Sequence, residues 1–379
     1  MRRLADWVRR DHRYVYLGGS VLAALGVLFA LRAPSEMSFL PENGAAQWLL
    51  LAVCAAYLVL SAFALLVKLT HWKTYDATVM KRPGAVRFSR WFSYGMTVAF
   101  VVLLLDRGVL ALASAVDMSI SADSKPQEFF SQMVYYAWKG RSFYARGIVY
   151  TVELALFGTA IAFVLAVLVV FLRIQTPDRR DNDLVRFLKT ISMGFAKLYI
   201  LIIRGTPMMV QGMIVFFGGF AILKAQHPGM STTEINAIWT TFNAGLITIS
   251  LNSTAYLAEV LRGGISAVDP GQMEAARSLG MTNWKAMLKV VFPQAVKNSI
   301  PAIGNEFIIN IKDSSVLSAI GLFELMYATT SIIGIYYVQL PLLIVTAIVY
   351  LILTYLSSLL MNAISAKLDA PVREIPSSN

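Results

Sequence analysis

Four ionisable side chains lie inside or at the ends of long apolar stretches of this sequence, where a charge needs a partner. They are Arg204, Glu259, Lys312 and Asp313. A charge at the centre of a membrane costs about 2.5–3.5 kcal/mol on insertion scales, so such residues usually face a cavity or one another. Arg204 can hold a carboxylate through two parallel hydrogen bonds, and Glu259 or Asp313 can hold an ammonium. The charges predict either a site for a solute that bears both groups or ion pairs that fix helix packing.

Neutral hydrogen-bonding side chains accompany these charges. The full set of candidate solute-binding residues is Arg204, Thr206, Asn252, Ser253, Tyr256, Glu259, Lys312, Asp313 and Ser314. Pro207 has no amide hydrogen, so a bend there frees backbone carbonyls, which is tolerable where backbone lines a cavity. We expect no metal site and no cofactor, because the chain has one cysteine and its three histidines are widely spaced.

A polar insert at residues 269–293 separates two apolar stretches. Asp269 followed by Pro270 is typical of a helix start, and Gln272 stands at the spacing of a capping box. Gly280 fits the left-handed position that ends such a helix. The pattern predicts a short, capped helix that stops at Gly280.

A second short helix is predicted directly after this glycine. Thr282 or Asn283 caps it, it covers Trp284–Phe292, and Pro293 is expected to close it. The insert is therefore either a pair of helices that meet at a corner for a partner to engage, or an ordinary amphipathic loop whose helices are capped because helices need caps.

The composition of the chain is that of an integral membrane protein. Its 379 residues are 57% hydrophobic and only 15% charged, with a mean hydropathy of +0.62, whereas soluble domains carry about 25% charged residues. The net charge of +11 indicates basic cytoplasmic loops rather than a nucleic-acid partner. The basic start and the apolar run after it are typical of a signal peptide, but no small-residue cleavage site follows, so we expect an uncleaved first helix.

Apolar stretches of about 20 residues predict an all-α, polytopic protein with about eight transmembrane helices. The predicted spans are 15–31, 47–67, 92–116, 148–172, 190–222, 243–261, 297–318 and 340–362. The fifth is too long for one straight helix, and we expect it to bend near 205–207.

The distribution of lysine and arginine predicts the orientation. With both termini in the cytoplasm, the cytoplasmic segments hold 23 basic residues and the outer segments hold 6. Because cytoplasmic loops are the basic ones, this bias places the insert at 269–293 in the cytoplasm.

Three regions are predicted. Residues 1–146 hold three spans and an amphipathic, aromatic segment on the outer face (120–146). Residues 147–365 hold five spans and the cytoplasmic loop 263–296, and residues 366–379 form a disordered tail.

Four stretches of the five-span region carry a family resemblance. The insert reads Glu-Ala-Ala, three residues, Gly280, nine residues, an aliphatic residue, one residue, an apolar residue and Pro293, which resembles the loop signature of bacterial ABC-importer permeases. Residues 204–211 (RGTPMMVQ), 252–265 (NSTAYLAEVLRGGI) and 311–317 (IKDSSVL) resemble, in order, the second-, third- and fourth-helix motifs of the polar amino acid permeases. The chain is similar to the histidine, glutamine, glutamate, arginine and opine group of type I importers, in a long form with extra N-terminal helices.

The resemblance implies a transmembrane permease subunit, not an enzyme, in a bacterial plasma (inner) membrane with its lipids. It implies that Glu274, Ala275, Ala276, Gly280 and Pro293 couple to two separate ABC ATPase subunits, since this sequence has no Gly-x4-Gly-Lys-Ser/Thr phosphate loop. It further implies a second permease subunit, identical or paralogous, an extracytoplasmic solute-binding protein and a polar amino acid as cargo.

Two other functions are open from the residues alone. An ion-coupled secondary transporter of a zwitterion would use Glu259 and Asp313 as ion sites, although internal repeats typical of that class are missing. A membrane scaffold or membrane enzyme would leave the capped insert without an ATPase to contact.

Overall fold

The computed structural model describes residues 13–71, 74, 77–178 and 181–368. These residues are mostly helical and include no strand, in agreement with the all-α prediction. The chain divides into two units, of which the first ends at Tyr135 and the second begins at Tyr136.

Three long helices form the first unit. They are α1 (Arg13–Ala30), α2 (Ala45–Thr70) and α3 (Pro83–Ser121). Their shared core contains Ala23, Ala30, Leu40, Cys54, Tyr57, Met96, Ala99 and Leu103. A β-carbon at Gly26 would lie 2.7 Å from the Cys54 sulfur, so this glycine lets α1 approach α2 closely. Small residues are the usual means of close helix packing in membranes.

A buried ion pair joins α3 to the segment between α1 and α2. Asp106 and Arg107 lie on a wide π-turn (Leu104–Leu110), and both side chains are fully buried. The Asp106 carboxylate lies 3.2 Å from Arg107 Nε and accepts the amides of Phe39 and Leu40 at 2.7 and 3.2 Å. Arg107 donates to the Leu40 carbonyl at 3.0 Å. The pair therefore holds the connecting segment against α3.

The division falls within helix α4, and the remaining helices belong to the second unit. In chain order they are α4 (Phe129–Lys139), α5 (Arg141–Arg173), α6 (Asp183–Gly205), α7 (Met208–Gln226), α8 (Thr232–Ile238), α9 (Thr241–Ser266), α10 (Pro270–Ser278), α11 (Asn283–Ile320), α12 (Leu325–Tyr336) and α13 (Leu340–Leu368). The predicted tail lies outside the described residues from 369 onwards.

Helices α5, α9 and α11 form the centre of the second unit. The core where α5, α6 and α9 meet consists of Ala162, Ala166, Val170, Ile200, Ala255, Leu257, Ala258 and Leu261. Glycines again mark the closest approaches, because a β-carbon at Gly158 would lie 2.5 Å from Ile249 and one at Gly304 would lie 2.5 Å from Met361. These contacts make α5, α9 and α11 a tightly packed support for the elements around them.

The predicted spans coincide with helices, but their number is not confirmed. Among the described residues, six helices are long and apolar enough to cross a membrane, and a seventh if α11 and α12, which meet at 49°, count as one bent span. The predicted fifth span is two helices, α6 and α7, separated at Thr206 and Pro207. The expected bend is thus a complete break, since Pro207 cannot donate to the ladder of α6.

The sequence did not predict helix α12, which begins at a buried acidic cap. The fully buried Glu324 carboxylate accepts the amides of Met326 and Tyr327 at 2.8 and 2.7 Å and the Tyr350 hydroxyl at 2.7 Å. The Leu325 amide donates to Thr151 of α5 at 3.1 Å. These bonds satisfy the free amides at the start of α12, which would otherwise be unpaired.

We predict that Arg107→Met destabilises the first unit by about 3 kcal/mol, because it leaves the Asp106 carboxylate buried without a cation. Chemical unfolding of the purified protein in detergent, followed by tryptophan fluorescence, measures the effect. The control is Arg90→Met, an exposed arginine on the same helix, for which a change within about 0.5 kcal/mol is expected. Equal shifts in the two variants would contradict this role of the pair.

Candidate functional site

The break between α6 and α7 is held by one glutamine. The Gln211 amide nitrogen donates to the Ile203 and Thr206 carbonyls at 2.8 and 3.0 Å and to the Thr206 hydroxyl at 2.8 Å. Its oxygen accepts from Asn252 of α9 at 2.9 Å. Gln211 thereby satisfies carbonyls that the end of α6 leaves free and ties the break to α9. Two predicted site residues, Thr206 and Asn252, are brought together here through a glutamine that was not on the predicted list.

A hollow of about 640 Å³ opens beside this break, between α5, α6 and α9. We call it the α6–α9 hollow. It is lined by Arg173, Lys197, Ile200, Leu201, Arg204, Gly205, Tyr256 and Glu259. The Arg204 guanidinium lies over the Tyr256 ring, 5.1 Å from its centre, a cation–π contact that fixes its orientation. The hollow thus unites three predicted site residues, Arg204, Tyr256 and Glu259.

Glu259 is not a free carboxylate in this arrangement. One of its oxygens lies 2.6 Å from Arg173 at the end of α5, and the other accepts from Arg262 at 2.9 Å. The prediction that Glu259 takes an ammonium conflicts with this geometry, because two guanidiniums already compensate one negative charge. For Glu259 the alternative reading, an ion pair between helices, describes the structure better.

Ser253 lies in a buried polar chain within the helix core, away from the hollow. Its hydroxyl donates to Asn310 of α11 at 2.9 Å, and Asn310 donates to Thr159 of α5 at 2.9 Å. The Glu306 carboxyl group, one turn before Asn310, is only 8% exposed. Ser253, Asn310 and Thr159 each have a partner, so this chain fixes the packing of α5, α9 and α11.

The last three predicted solute-binding residues lie at the end of the α-helical part of α11. Lys312 and Asp313 are exposed, whereas Ser314 is buried and donates to the Ile311 carbonyl at 2.9 Å. None of the three lines the α6–α9 hollow. The structure therefore divides the predicted solute site into the hollow, the helix break, the buried polar chain and the end of α11.

The insert at 269–293 has the predicted corner. Asp269 accepts the Gly271 amide at 2.8 Å and begins α10. Gly280 has φ +82° and donates to the Arg277 carbonyl, while the Met281 amide donates to the Ala276 carbonyl. These two bonds are the Schellman arrangement, in which a left-handed glycine satisfies the last carbonyls of a helix.

Two details of the insert differ from the prediction. The Gln272 side chain accepts from Gln294 at 3.3 Å instead of closing a capping box. The second helix does not end at Pro293 but continues as α11. A wide π-turn (Met287–Val291) directly precedes the proline, and this widening relieves the clash of a proline ring with the carbonyl four residues back.

The corner presents an apolar tip and is anchored to the helix core. Leu279 is 82% exposed at the tip, and Glu274 and Ala275 are exposed beside it, whereas Ala276 is buried. On the other side of the corner, the Trp284 and Phe292 rings lie 5.3 and 4.9 Å from the Phe171 ring at the end of α5. A force on the tip would therefore be transmitted to α5 and α11.

Comparison with known proteins identifies the family. Residues 185–370 match the family described as binding-protein-dependent transport system inner membrane component. The nopaline transport system permease protein NocM of Agrobacterium fabrum (strain C58 / ATCC 33970) is 32% identical over 215 residues, which are 56% of this chain and 81% of that protein. This chain belongs to the family of binding-protein-dependent transport system inner membrane components.

Other similar proteins agree with this assignment. The arginine transport system permease protein ArtQ of Bacillus subtilis (strain 168) is 36% identical to the permease over 175 residues, 46% of this chain and 74% of that one. The crystal structure of an amino acid ABC transporter with histidines aligns with a TM-score of 0.51 at 32% identity and covers 64% of this chain and 99% of that one. The permease is thus a multi-pass membrane protein of the ABC-importer type, and its relatives are transport subunits rather than enzymes, as predicted.

The predicted list omitted five residues that shape the permease site. They are Thr159, Arg173, Lys197, Gln211 and Glu306. Gln211 stands inside a recognised motif and Lys197 inside an apolar stretch, so both carried a signal in the sequence. The roles of the other three depend on contacts between distant helices.

We predict that Gln211→Ala lowers the melting temperature of the permease in detergent, because it removes hydrogen bonds to the part-buried Ile203 and Thr206 carbonyls that contribute about 1 kcal/mol each. Gln226→Ala, an exposed glutamine at the other end of the same helix, is the control and should leave the melting temperature unchanged. Matching melting curves for the two variants would show that Gln211 does not hold the break.

Proposed function

We propose that this chain is the transmembrane subunit of an ATP-driven importer of polar amino acids or related opines. The observation that carries the proposal is the capped corner at 269–282 with its exposed Leu279, in a chain that belongs to the binding-protein-dependent permeases. A rigid, capped corner that carries Leu279 at an exposed tip offers a defined surface for a partner protein to engage. ATP hydrolysis takes place in that partner.

The proposed assembly has two ATPase subunits, two permease subunits and an external solute-binding protein. Similar proteins that transport arginine, nopaline and other amino acids are permease subunits, which supports the same role here. The excess of basic residues in one set of loops supports an orientation with both termini and the corner in the cytoplasm. The membrane is then the bacterial inner membrane.

The proposed coupling runs from the corner to the helices. Closure of the ATPase pair displaces the loop 263–296, and the aromatic contacts to Phe171 pass the movement to α5 and α11. Because a ligand shifts an equilibrium only by its differential affinity for the two states, the ATPase must bind the corner differently in the inward- and outward-open states.

The proposed solute contact begins at Arg204 in the α6–α9 hollow. Its guanidinium, held over Tyr256, can donate two parallel hydrogen bonds to a substrate carboxylate. Helix α7 starts at the adjacent break without a side-chain cap, so its amide end adds partial positive charge, as discontinuous helices do in other transporters. Thr206, Asn252, Lys312, Asp313 and Ser314 remain proposed contributors, with Asp313 as the exposed carboxylate for an ammonium, whereas the Ser253 hydroxyl is taken by Asn310.

Purification from native membranes in mild detergent, followed by reconstitution, tests the proposed function. We expect the chain to copurify with an ATPase that carries a phosphate loop. We also expect the reconstituted complex to take up amino acids only when ATP is supplied on the ATPase side of the membrane. A chain that purifies alone and drives uptake sensitive to a protonophore but not to ATP depletion would instead be an ion-coupled transporter.

We predict that Gly280→Asp and Glu274→Arg each abolish ATP-driven uptake while the protein stays folded and inserted. A β-carbon at Gly280 meets no atom within 4 Å, but its φ of +82° strains any L side chain, so Gly280→Asp distorts the corner locally and also places a charge on the face that the ATPase covers. The control is Gly229→Asp, a substitution in an exposed turn that is equally unobstructed and lacks the positive φ. Normal uptake in both corner variants would exclude the coupling role.

A further inference from the structure

The α6–α9 hollow has more positive than negative charge. Three cations, Arg173, Lys197 and Arg204, and one carboxylate, Glu259, line it. Glu259 is already paired with Arg173 at 2.6 Å and with Arg262 at 2.9 Å. Within the residues that the structure describes, no carboxylate lies within 4 Å of Lys197 or Arg204. The hollow therefore has two cations left without an anion.

These two cations stand on one face of α6. They are seven positions apart in the sequence, which is about two helical turns and about 10.5 Å along the axis. Ile200 and Leu201 lie between them and give the hollow an apolar middle. Both side chains are long enough to reach toward each other across this middle. The α6 face of the hollow thus has a cation at each end and an apolar wall between them, and α6 itself packs against α5 and α9.

Both cations are exposed in the hollow, and together they give it a positive potential that favours an anionic ligand. One carboxylate, such as a neutral amino acid carries, would compensate Arg204 and leave Lys197 unmatched. Two carboxylates on one molecule would compensate both. The apolar wall fits the carbon chain that joins them.

We infer that the hollow selects an amino acid, or an amino acid conjugate, that bears a second carboxylate, with one carboxylate on Arg204 and the other on Lys197. The inference rests on the proposed import function and specifies its substrate class. Arg204 is the site for the α-carboxylate because Tyr256 fixes its guanidinium at 5.1 Å and the uncapped start of α7 is adjacent. Lys197 is the residue that distinguishes acidic from neutral cargo.

An anionic lipid is the competing source of negative charge. A lipid headgroup stays at one depth, in the interface, and offers its phosphate there. Lys197 and Arg204 stand two turns, or about 10.5 Å, apart along one helix. A single headgroup does not match both cations, whereas a dicarboxylate does.

The test is radioligand binding to the purified permease–ATPase complex in nanodiscs of phosphatidylcholine alone, with L-glutamate, L-aspartate and L-glutamine as probes. We expect the wild type to bind an acidic probe more tightly than L-glutamine. Lys197→Gln should weaken acidic binding by about tenfold or more, the effect of losing one charged hydrogen bond, and change L-glutamine binding less than twofold. Lys197→Arg should restore acidic binding, which a merely structural role would not explain.

The matched control is Lys189→Gln on the same helix. Lys189 is already paired with Asp181 at 2.6 Å and holds the pKa of that carboxyl below its usual value, so its loss should leave all three affinities unchanged. The inference is overturned if the wild type binds no acidic probe, if it prefers L-glutamine, or if Lys197→Gln weakens all probes equally. A parallel experiment uses nanodiscs that also contain anionic lipid. The inference is also overturned if acidic probes bind only in those discs and Lys197→Gln weakens binding only there, because Lys197 would then contact a lipid headgroup.

ATP-driven uptake by the same wild-type complex, with its solute-binding protein, separates this inference from the proposed function. Uptake of neutral amino acids alone would contradict the acidic preference and leave the importer assignment intact. Absence of ATP-driven uptake for every amino acid would contradict the importer assignment itself.

Discussion

Lipid offers no hydrogen bond to a polar group, and this constraint governs the placement of polar side chains throughout the permease. Each irregularity among its helices has one polar residue that supplies several bonds at once. Gln211 serves the break between α6 and α7, Glu324 serves the start of α12, and the Asp106–Arg107 pair serves the segment that joins α1 to α2. These residues are structural because the bonds that they make lie within the chain.

The hydrogen bonds and ion pairs within the chain also distinguish polar groups that are already satisfied from those that are available for function. Glu259 and Ser253 looked like solute contacts in the sequence, but their charges and lone pairs are occupied by Arg173, Arg262 and Asn310. Lys197 and Arg204 have no such compensation in the described chain, and Leu279 stands almost fully exposed at a rigid corner. Lys197 and Arg204 can bind an anionic solute, and the corner that carries Leu279 can bind a partner protein. An importer that binds a solute in its helices and an ATPase at its corner uses both.

Local interactions made much of this structure predictable. Apolar runs predicted the long helices, and Asp269, Gly280 and Thr282 predicted the corner, because a cap depends only on residues a few positions away. The prediction that Pro293 ends the second helix was wrong, because a π-turn at Met287–Val291 lets the helix continue through the proline. Helix α12 was missed because its capping residue, Glu324, is stabilised by Tyr350 and its first amide by Thr151, both distant in the sequence. The partners of Glu259 could not be predicted for the same reason, since Arg173 lies on another helix.

The central claim is that an ATPase engages the corner at 269–282, and crosslinking from its tip tests that claim most directly. A photoreactive amino acid replaces Leu279, and in a control chain it replaces Tyr337, which is exposed to a similar degree at the end of α12. Irradiation of native membranes and mass spectrometry identify the products. The account predicts a crosslink from position 279 to a protein with an ATP-binding phosphate loop and none from position 337. Crosslinks from position 279 to lipid alone, or to the ATPase equally from both positions, would contradict it.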